Sequence, residues 1–316
     1  MSANPIIHVV VAVIRNDAGQ VLLSLRPEHV HQGGLWEFPG GKLEDNESVE
    51  QGLARELQEE LGIETGRVSP LIRIRHDYED RAVLLDVWEV QEYRNTPYGK
   101  ENQRLDWVDI DDLSVNNMPA ADLPIIHAIR LPDRCLITPD VKVNTGQFLS
   151  GLKKSLESGV KLIQFRSKGL ADSEYLALAN EIVSLSRSFD ARVIINNRLD
   201  VFQQSLADGL HLNSQCLMEA DKRPVAEQVL LSASCHNQAE VERANKLAVD
   251  FIMLSPVLPT KSHPYAEPIG WEQFQLIAES ACMPVYALGG MNEKYISHAR
   301  KQGAQGIAAI SSLWGG

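Results

Sequence analysis

Apolar positions alternate with polar ones over His8–Ile14 and again over Gln20–Arg26, which predicts two strands. Asn16-Asp17-Ala18-Gly19 between them is turn chemistry and predicts a hairpin. Over Ser48–Leu61 the period becomes helical, with Val49, Leu53, Leu57 and Leu61 on one stripe and Gly62 as the stop. Arg81–Val90 and Arg104–Asp109 predict later strands, and Pro119–Arg130 a closing helix. Residues 1–130 therefore predict a compact mixed α+β unit.

From Arg134 the pattern becomes a regular alternation of short apolar strands and amphipathic helices. The strands fall at Cys135–Thr138, Leu162–Arg166, Arg192–Asn196, Gly209–Leu212, Leu230–Cys235, Phe251–Ser255, Pro284–Leu288 and Gly306–Ser311. Eight such strands predict a (β/α)8 barrel over residues 131–316. The chain stops at Trp314-Gly315-Gly316, straight after the eighth strand, so the last helix has no sequence to form it. The expectation is that the N-terminal domain or a second subunit covers that flank; a homodimer is one such arrangement. The boundary at Leu131-Pro132-Asp133 is short, which predicts that the two domains touch.

Charge sharpens this division. Of 30 basic and 42 acidic side chains, residues 1–130 hold 12 and 23, leaving 18 and 19 for the remainder; the net charge of -12 is thus -11 and -1. Neither half carries a basic footprint, so polymeric nucleic acid is not an expected partner. An acidic half can bind an anionic phosphate only with metal ions between them. With 44% hydrophobic and 23% charged residues the composition is that of a packed globular protein. No apolar run reaches the roughly 18–20 residues of a membrane helix, the start lacks a signal peptide's basic region, and no membrane partner is expected. Cys135, Cys216, Cys235 and Cys282 are scattered without a CxxC pair, as in reduced thiols of a cytoplasmic protein.

Candidate chemistry concentrates in Gly41–Ile63. Glu56, Glu59 and Glu60 stand at i, i+3 and i+4, so their carboxylates share one helix face. The plain alternative is a solvated acidic face with Arg55 or Lys42 nearby. The larger pattern, Gly41-x5-Glu47-x7-Arg55-Glu56-Leu57-x-Glu59-Glu60-x-Gly62-Ile63, resembles at every defined position the box of the Nudix hydrolases. That resemblance implies an α+β Nudix fold, a mixed sheet with the Nudix helix, ahead of the α/β TIM barrel. It also implies a loop–helix–loop holding Mg²⁺ against a diphosphate, with Mn²⁺ as an ion that would also serve. Glu56, Glu59 and Glu60 resemble the metal ligands. Gly40 and Gly41 let the backbone approach metal and substrate, and Glu47 with Arg55 resembles the pair that fixes the helix.

Across residues 5–130 the chain is similar to the MutT branch, whose members hydrolyse 8-oxo-dGTP to the monophosphate and pyrophosphate. Trp36-Glu37-Phe38-Pro39-Gly40-Gly41-Lys42 resembles the run into the box, and Tyr98-Gly99-Lys100-Glu101 the place of a further acid. The resemblance implies Glu101 as an additional metal ligand or water-activating base, the alternative being a surface Glu. It implies Arg26, Phe38 and Arg81 as lining of the nucleotide site. Asp122 stands where the branch uses Asn to read the oxidised guanine. An ionised Asp122 keeps the acceptor and loses the donor, which puts base preference in doubt unless the carboxyl is protonated.

In the barrel, the residues after the strand ends resemble thiamin phosphate synthase and its relative, the thiazole tautomerase TenI. The resemblance covers residues 134–314, with Ala207-Asp208-Gly209, Gly289-Gly290 and Gly303-Ala304-x-Gly306 in step. It implies Arg166, Lys168, Gly289, Gly290 and Ser311 as substrate-binding residues. Asn197 and Cys216 stand where the synthase needs Asp to hold Mg²⁺, which speaks against synthase activity. His236 matches the tautomerase histidine; the alternative is that His236 and His211 are remnants in a scaffold. Three functions stay open: a Mg²⁺-dependent pyrophosphohydrolase of nucleoside triphosphates that favours 8-oxo-dGTP, in nucleotide-pool sanitation and DNA repair; a fusion whose halves both serve thiamin metabolism; and a Nudix enzyme on a non-catalytic barrel.

Overall fold

The computed structural model describes residues 6–30, 32–78, 82–113, 117–142, 144–260 and 265–315. The chain divides into two units, Met1–Arg130 and Leu131–Gly316.

In the first unit, β1 (Ile6–Ile14) runs parallel to β7 (Ala82–Val90) and antiparallel to β4 (Gly40–Lys42), while β6 (Val68–Asp77) flanks β7, giving the order β4-β1-β7-β6. A second sheet has the order β3 (Trp36–Glu37), β2 (Val21–Leu25), β9 (Leu105–Val108); β5 (Glu64–Thr65) pairs with β8 (Tyr93–Arg94). Alternation along β1 feeds two cores. Val11 and Val13 pack with Leu71, Ile74, Val87 and Ile125, whereas Val10, Ala12 and Ile14 pack with Leu53, Leu57 and Leu61 of α1 (Val49–Leu61).

The helix expected over Ser48–Leu61 forms with Ser48 as its cap. Ser48 Oγ accepts from Gln51 N and Gln51 returns the bond to Ser48 N, a capping box, and Gly62 closes the other end at φ 67°. The expected hairpin does not form as a paired ribbon. Asn16 Oδ1 accepts from the N–H groups of Ala18 and Gln20 and makes the turn, but only Arg15 and Val21 bridge. Strands β1 and β2 then diverge into different sheets, because β2 finds its partners in β3 and β9. The closing helix is shorter than expected: a 3-10 turn, Ala120–Asp122, leads into α2 (Leu123–Arg130). β6 was not foreseen at all.

In the second unit eight parallel strands close a barrel: β10 (Arg134–Ile137), β11 (Leu162–Phe165), β12 (Arg192–Asn196), β13 (Gly209–Leu212), β14 (Leu230–Cys235), β15 (Phe251–Leu254), β16 (Val285–Leu288) and β17 (Gly306–Ala309), the last pairing with the first. Between them run α3 (Thr145–Glu157), α4 (Asp172–Arg187), α5 (Leu199–Phe202), α6 (Ser214–Glu219), α7 (Gln238–Leu247), α8 (Gly270–Ala278) and α9 (Ile296–Lys301). Cys135, Leu162, Ile194, Phe251, Met253, Tyr286 and Ala308 form the inner core; alternate positions pack outward against the helices.

No helix follows β17 among the described residues. The chain's own last described residues pack on α3 there. The Trp314 ring lies 4.9 Å from that of Phe148, above Gly151, where a Cβ would meet the indole at 2.8 Å. Gly315 N donates to Ser155 Oγ at 2.8 Å.

Candidate active site

The Nudix-like face is assembled where β3, β4 and the C-terminal half of α1 meet. Gly40, at φ 150°, lies so close to β1 that a Cβ would collide with the Val10 carbonyl. Its N–H donates to Glu60 Oε2 at 3.2 Å. A Cβ on Gly41 would occupy the space of the Glu56 carboxylate. The two glycines thus seat two carboxyls of α1 directly against backbone.

Arg55 organises the same helix. Its Nε and Nη2 donate to Glu47, both at 2.9 Å, and Nη2 donates also to Lys42 O at 3.1 Å. Its Nη1 reaches Glu56 Oε1 at 2.9 Å and Glu59 Oε2 at 3.3 Å. The Glu47–Arg55 pair is therefore present, and Arg55 also holds the two neighbouring acids. Hydrogen bonding to Arg55 lowers the Glu47 pKa, and the Arg55 pKa is raised in turn.

Glu60 differs from its neighbours. Burial first, then the nearby charges of Glu37, Glu56 and Glu101, raise its pKa to about 8, and the Gly40 N–H opposes the rise. Glu101 is exposed on a loop that docks on the helix: Lys100 N and Gln103 Nε2 both donate to Glu60 O, and Gln103 Oε1 accepts from Glu101 N. Glu56 is half-buried and Glu59 exposed. Among the described residues no three His, Cys, Asp or Glu side chains converge as a metal cage. The donor set nonetheless fits a hard divalent cation, since it is all oxygen and its buried member is crowded by like charge that a cation relieves.

Beside these acids stands a group that sequence reasoning passed over. Arg26 Nη1 donates to Glu37 Oε2 in a close ion pair, both side chains being mostly covered. Burial raises the Glu37 pKa, and Arg26 opposes the rise. Phe38, next in the chain, is buried in the core, and its backbone acts to lower the Asp122 pKa, though less than burial raises it. Asp122 is 7% exposed, and its Oδ2 has no hydrogen-bond partner among the described residues. Burial and the Glu37 charge push its pKa well above the usual carboxylate range. The structure thus brings Arg26, Phe38 and Asp122 together; Arg81 lies outside the described residues. Glu37 stood in the quoted Trp36–Lys42 run, but only the fold shows its partner.

At the barrel mouth the inward positions of β11–β14 are polar. Gln164 Nε2 donates to Asn196 Oδ1 at 2.7 Å, and His211 sits with Nδ1 2.8 Å from Ser232 Oγ and Nε2 2.8 Å from Ser234 Oγ. Burial, with Arg166 nearby, lowers the His211 pKa to about 3, so it stays neutral. His236 is exposed after β14, and its Nδ1–H donates to Ser255 O at 2.8 Å, leaving Nε2 as the lone-pair nitrogen. Arg166 and Lys168 follow β11, Gly289 and Gly290 follow β16, and Ser311 follows β17, all at C-terminal strand ends. Gly289 and Gly290 have φ of 97° and 69° and abut Pro256 and Leu258, leaving no room for a Cβ. Asn197, at φ 52°, donates its N–H to His211 O, and Cys216 opens α6 with its N–H on Asn213 Oδ1.

Residues 134–313 match the family model for thiamine monophosphate synthase, and residues 10–128 that for the NUDIX domain. The chain belongs to the thiamine monophosphate synthase family over its barrel and carries a Nudix hydrolase domain ahead of it. An Aquifex aeolicus protein provisionally named thiamine-phosphate synthase 2 is 38% identical over 183 residues, 58% of this chain and 98% of its own. The 8-oxo-dGTP diphosphatase of Escherichia coli is 33% identical over 124 residues, 39% of this chain and 96% of its own. A solved chain from work on MutT of Aliivibrio salmonicida and Vibrio cholerae is 35% identical, with a TM-score of 0.35, covering 40% of this chain and 97% of its own. No helix among the described residues is long and apolar enough to cross a membrane.

Proposed function

We propose that the N-terminal unit is a Mg²⁺-dependent pyrophosphohydrolase that converts 8-oxo-dGTP to 8-oxo-dGMP and pyrophosphate, a cytoplasmic activity in nucleotide-pool sanitation. The observation that carries this reading is Glu60, held on Gly40 N–H and crowded by Glu37, Glu56 and Glu101. A bound divalent ion would neutralise phosphate charge and lower the pKa of a coordinated water. Glu56, Glu59, Glu60 and Glu101 would hold it, and Arg55, now paired with Glu56 and Glu59, keeps their carboxylates on one face. Water oxygen bonds to phosphorus, one P–O–P bridge breaks, and the water proton passes to a carboxylate of this set.

Base selection rests on Asp122. A protonated carboxyl offers one donor and one acceptor, the pair an amide offers, so the raised pKa of Asp122 supports recognition of O6 and of the N7–H that only the oxidised guanine carries. The partner is then a small nucleotide, with no polymeric nucleic acid or membrane involved. A panel of 8-oxo-dGTP, dGTP, ADP-ribose and thiamin pyrophosphate, read by product analysis, tests the reading. Preference for thiamin pyrophosphate would move the N-terminal unit to thiamin metabolism.

For the barrel we infer proton transfer on a thiazole phosphate, because the His236 tautomer leaves Nε2 able to accept a proton. Arg166, Lys168, Gly289, Gly290 and Ser311 would hold the phosphate. Tautomerase activity that survives His236→Ala, or none in the intact protein, returns the barrel to a scaffold or a homodimer interface.

A further inference from the structure

We propose that Gln103 is a positioning residue: its side-chain amide straps the loop bearing Glu101 to the main chain of Glu60, and so holds Glu101 where it can share a divalent ion with the α1 carboxylates. The role rests on the divalent ion proposed above and supplies the means by which an acid far along the chain from α1 joins that set.

The strap is bidentate. Gln103 Nε2 donates to Glu60 O at 3.0 Å, across 43 residues of sequence, and Gln103 Oε1 accepts from Glu101 N at 2.9 Å. One planar amide thus joins the main chain of the last acid of α1 to that of the acid on the loop. Glu60 is held at both ends, by Gly40 N–H at its carboxylate and by the loop at its carbonyl. Only an amide can do this. A carboxylate at 103 would accept from Glu101 N but has no donor for Glu60 O, and an apolar side chain has neither group.

The loop docks here because a helix end lacks donors for its last carbonyls. Residues 95–103 supply them: Lys100 Nζ donates to Gln58 O at 2.9 Å, Lys100 N to Glu60 O at 3.0 Å and Tyr98 N to Leu61 O at 3.1 Å. The Lys100 ammonium also sets a positive charge at the negative end of α1, whose own last turn has no basic residue. Beyond Lys100 the chain turns back, with Asn102 N donating to Gly99 O at 3.1 Å and Asn102 at φ 63°. The turn is so tight that a Cβ on Gly99 would strike Gln103 O. Glu101 lies in that turn, exposed, with its main chain fixed to α1 through the half-buried Gln103. A glutamate on an unfastened loop loses conformational entropy when it takes up an ion. One whose main chain is already fixed loses less, so the strap favours binding before any ion arrives.

The test uses the full-length, metal-free protein and Mn²⁺, with free Mn²⁺ read by electron paramagnetic resonance, on the wild type, Gln103→Met, Glu101→Gln and the double variant. Gln103→Met is expected to weaken Mn²⁺ binding about tenfold, the worth of two hydrogen bonds. Where Glu101 is already Gln, the same change should have less than about a twofold effect. No loss in Gln103→Met, or losses that multiply in the double variant, mean that Gln103 does not act through Glu101, and overturn the inference. Hydrogen exchange of the metal-free proteins, read by NMR, reports on the strap with no ion present. Glu101 N–H should be protected in the wild type and exchange freely in Gln103→Met, while Leu57 N–H within α1 is unchanged. A Glu101 amide that exchanges freely in the wild type also overturns it. Should Gln103→Met fail to fold, Gln103→Asn, one methylene too short to reach both partners, is judged by the same criteria. A wild type that binds no Mn²⁺ overturns the metal reading and this inference with it, an outcome distinct from binding whose losses multiply.

Discussion

Gly40 and Glu60 are joined by a backbone-to-carboxylate hydrogen bond of 3.2 Å, which ties the strand leading into the glycine pair to the C-terminal half of the acidic helix. The bond exists because Gly40 lacks a Cβ: any side chain there would strike the Val10 carbonyl of β1 before Glu60 could be reached.

Gly40→Ala should therefore destabilise the N-terminal unit by about 3 kcal/mol, combining a φ that suits only glycine with a backbone collision. Thermal unfolding of the two proteins checks this. A melting temperature equal to wild type would show that the strand shifts freely and that the Gly40–Glu60 bond constrains nothing.

Glu60 makes the metal-free protein sensitive to pH. Its pKa is raised from 4.5 to about 8 in the folded state, so the native chain holds that proton more tightly than the unfolded chain. This contribution to stability is fully present below pH 4.5 and is lost as pH rises through about 8. Urea unfolding of the metal-free protein between pH 5 and 8.5 should show stability falling with pH, with a shallower fall in Glu60→Gln. Added Mg²⁺ should restore stability most at the alkaline end, where the carboxylate is ionised. Equal slopes in the two proteins would contradict the assignment.

Asp122 separates two readings of base choice. Asp122→Asn preserves a donor and an acceptor without titrating, so the ratio of 8-oxo-dGTP to dGTP hydrolysis should persist and become independent of pH. Asp122→Ala should reduce that ratio roughly tenfold or more. The kcat/KM ratio across pH 6–9 is the measurement, and an Ala variant with the wild-type ratio would remove Asp122 from base reading.

Much of this was legible in the chain, for physical reasons that differ by element. The α1 stripe and its Gly62 stop are local signals, and the i, i+3, i+4 spacing alone puts the acids on one face. The barrel strands were legible because each is short, apolar and bounded by turns. The β1–β2 hairpin misled because a local turn was taken to imply pairing, whereas β2 is claimed by β3 and β9 from elsewhere in the chain. β6 escaped although Ile72-Arg73-Ile74-Arg75 alternates, because Pro70 falls inside the strand, at the point where its register with β7 shifts. The raised pKa of Asp122 and the Glu37–Arg26 pair are products of burial and tertiary contact, which spacing does not report. His211 and His236 look alike as strand-end histidines; only the inward pleat of β13 seals the first between two serines and leaves the second exposed.

The Trp314 ring covers α3 after the last barrel strand. Trp314→Ala should cost the barrel about 3 kcal/mol by opening a gap over Phe148 and Gly151. Calorimetry of the full chain checks this. An unchanged transition would mean that the α3 flank needs no cover.

The most direct test of the account is release of pyrophosphate from 8-oxo-dGTP, with Mg²⁺, by the wild type and by Glu59→Gln. Glu59 is exposed and, among the described residues, bonded only to Arg55, so its loss should leave the melting temperature within a degree or two, an effect of about half a kcal/mol at most. Turnover should fall by roughly two orders of magnitude or more. Wild-type turnover in a folded Glu59→Gln protein would contradict the assignment of the α1 carboxylates to the phosphate chemistry.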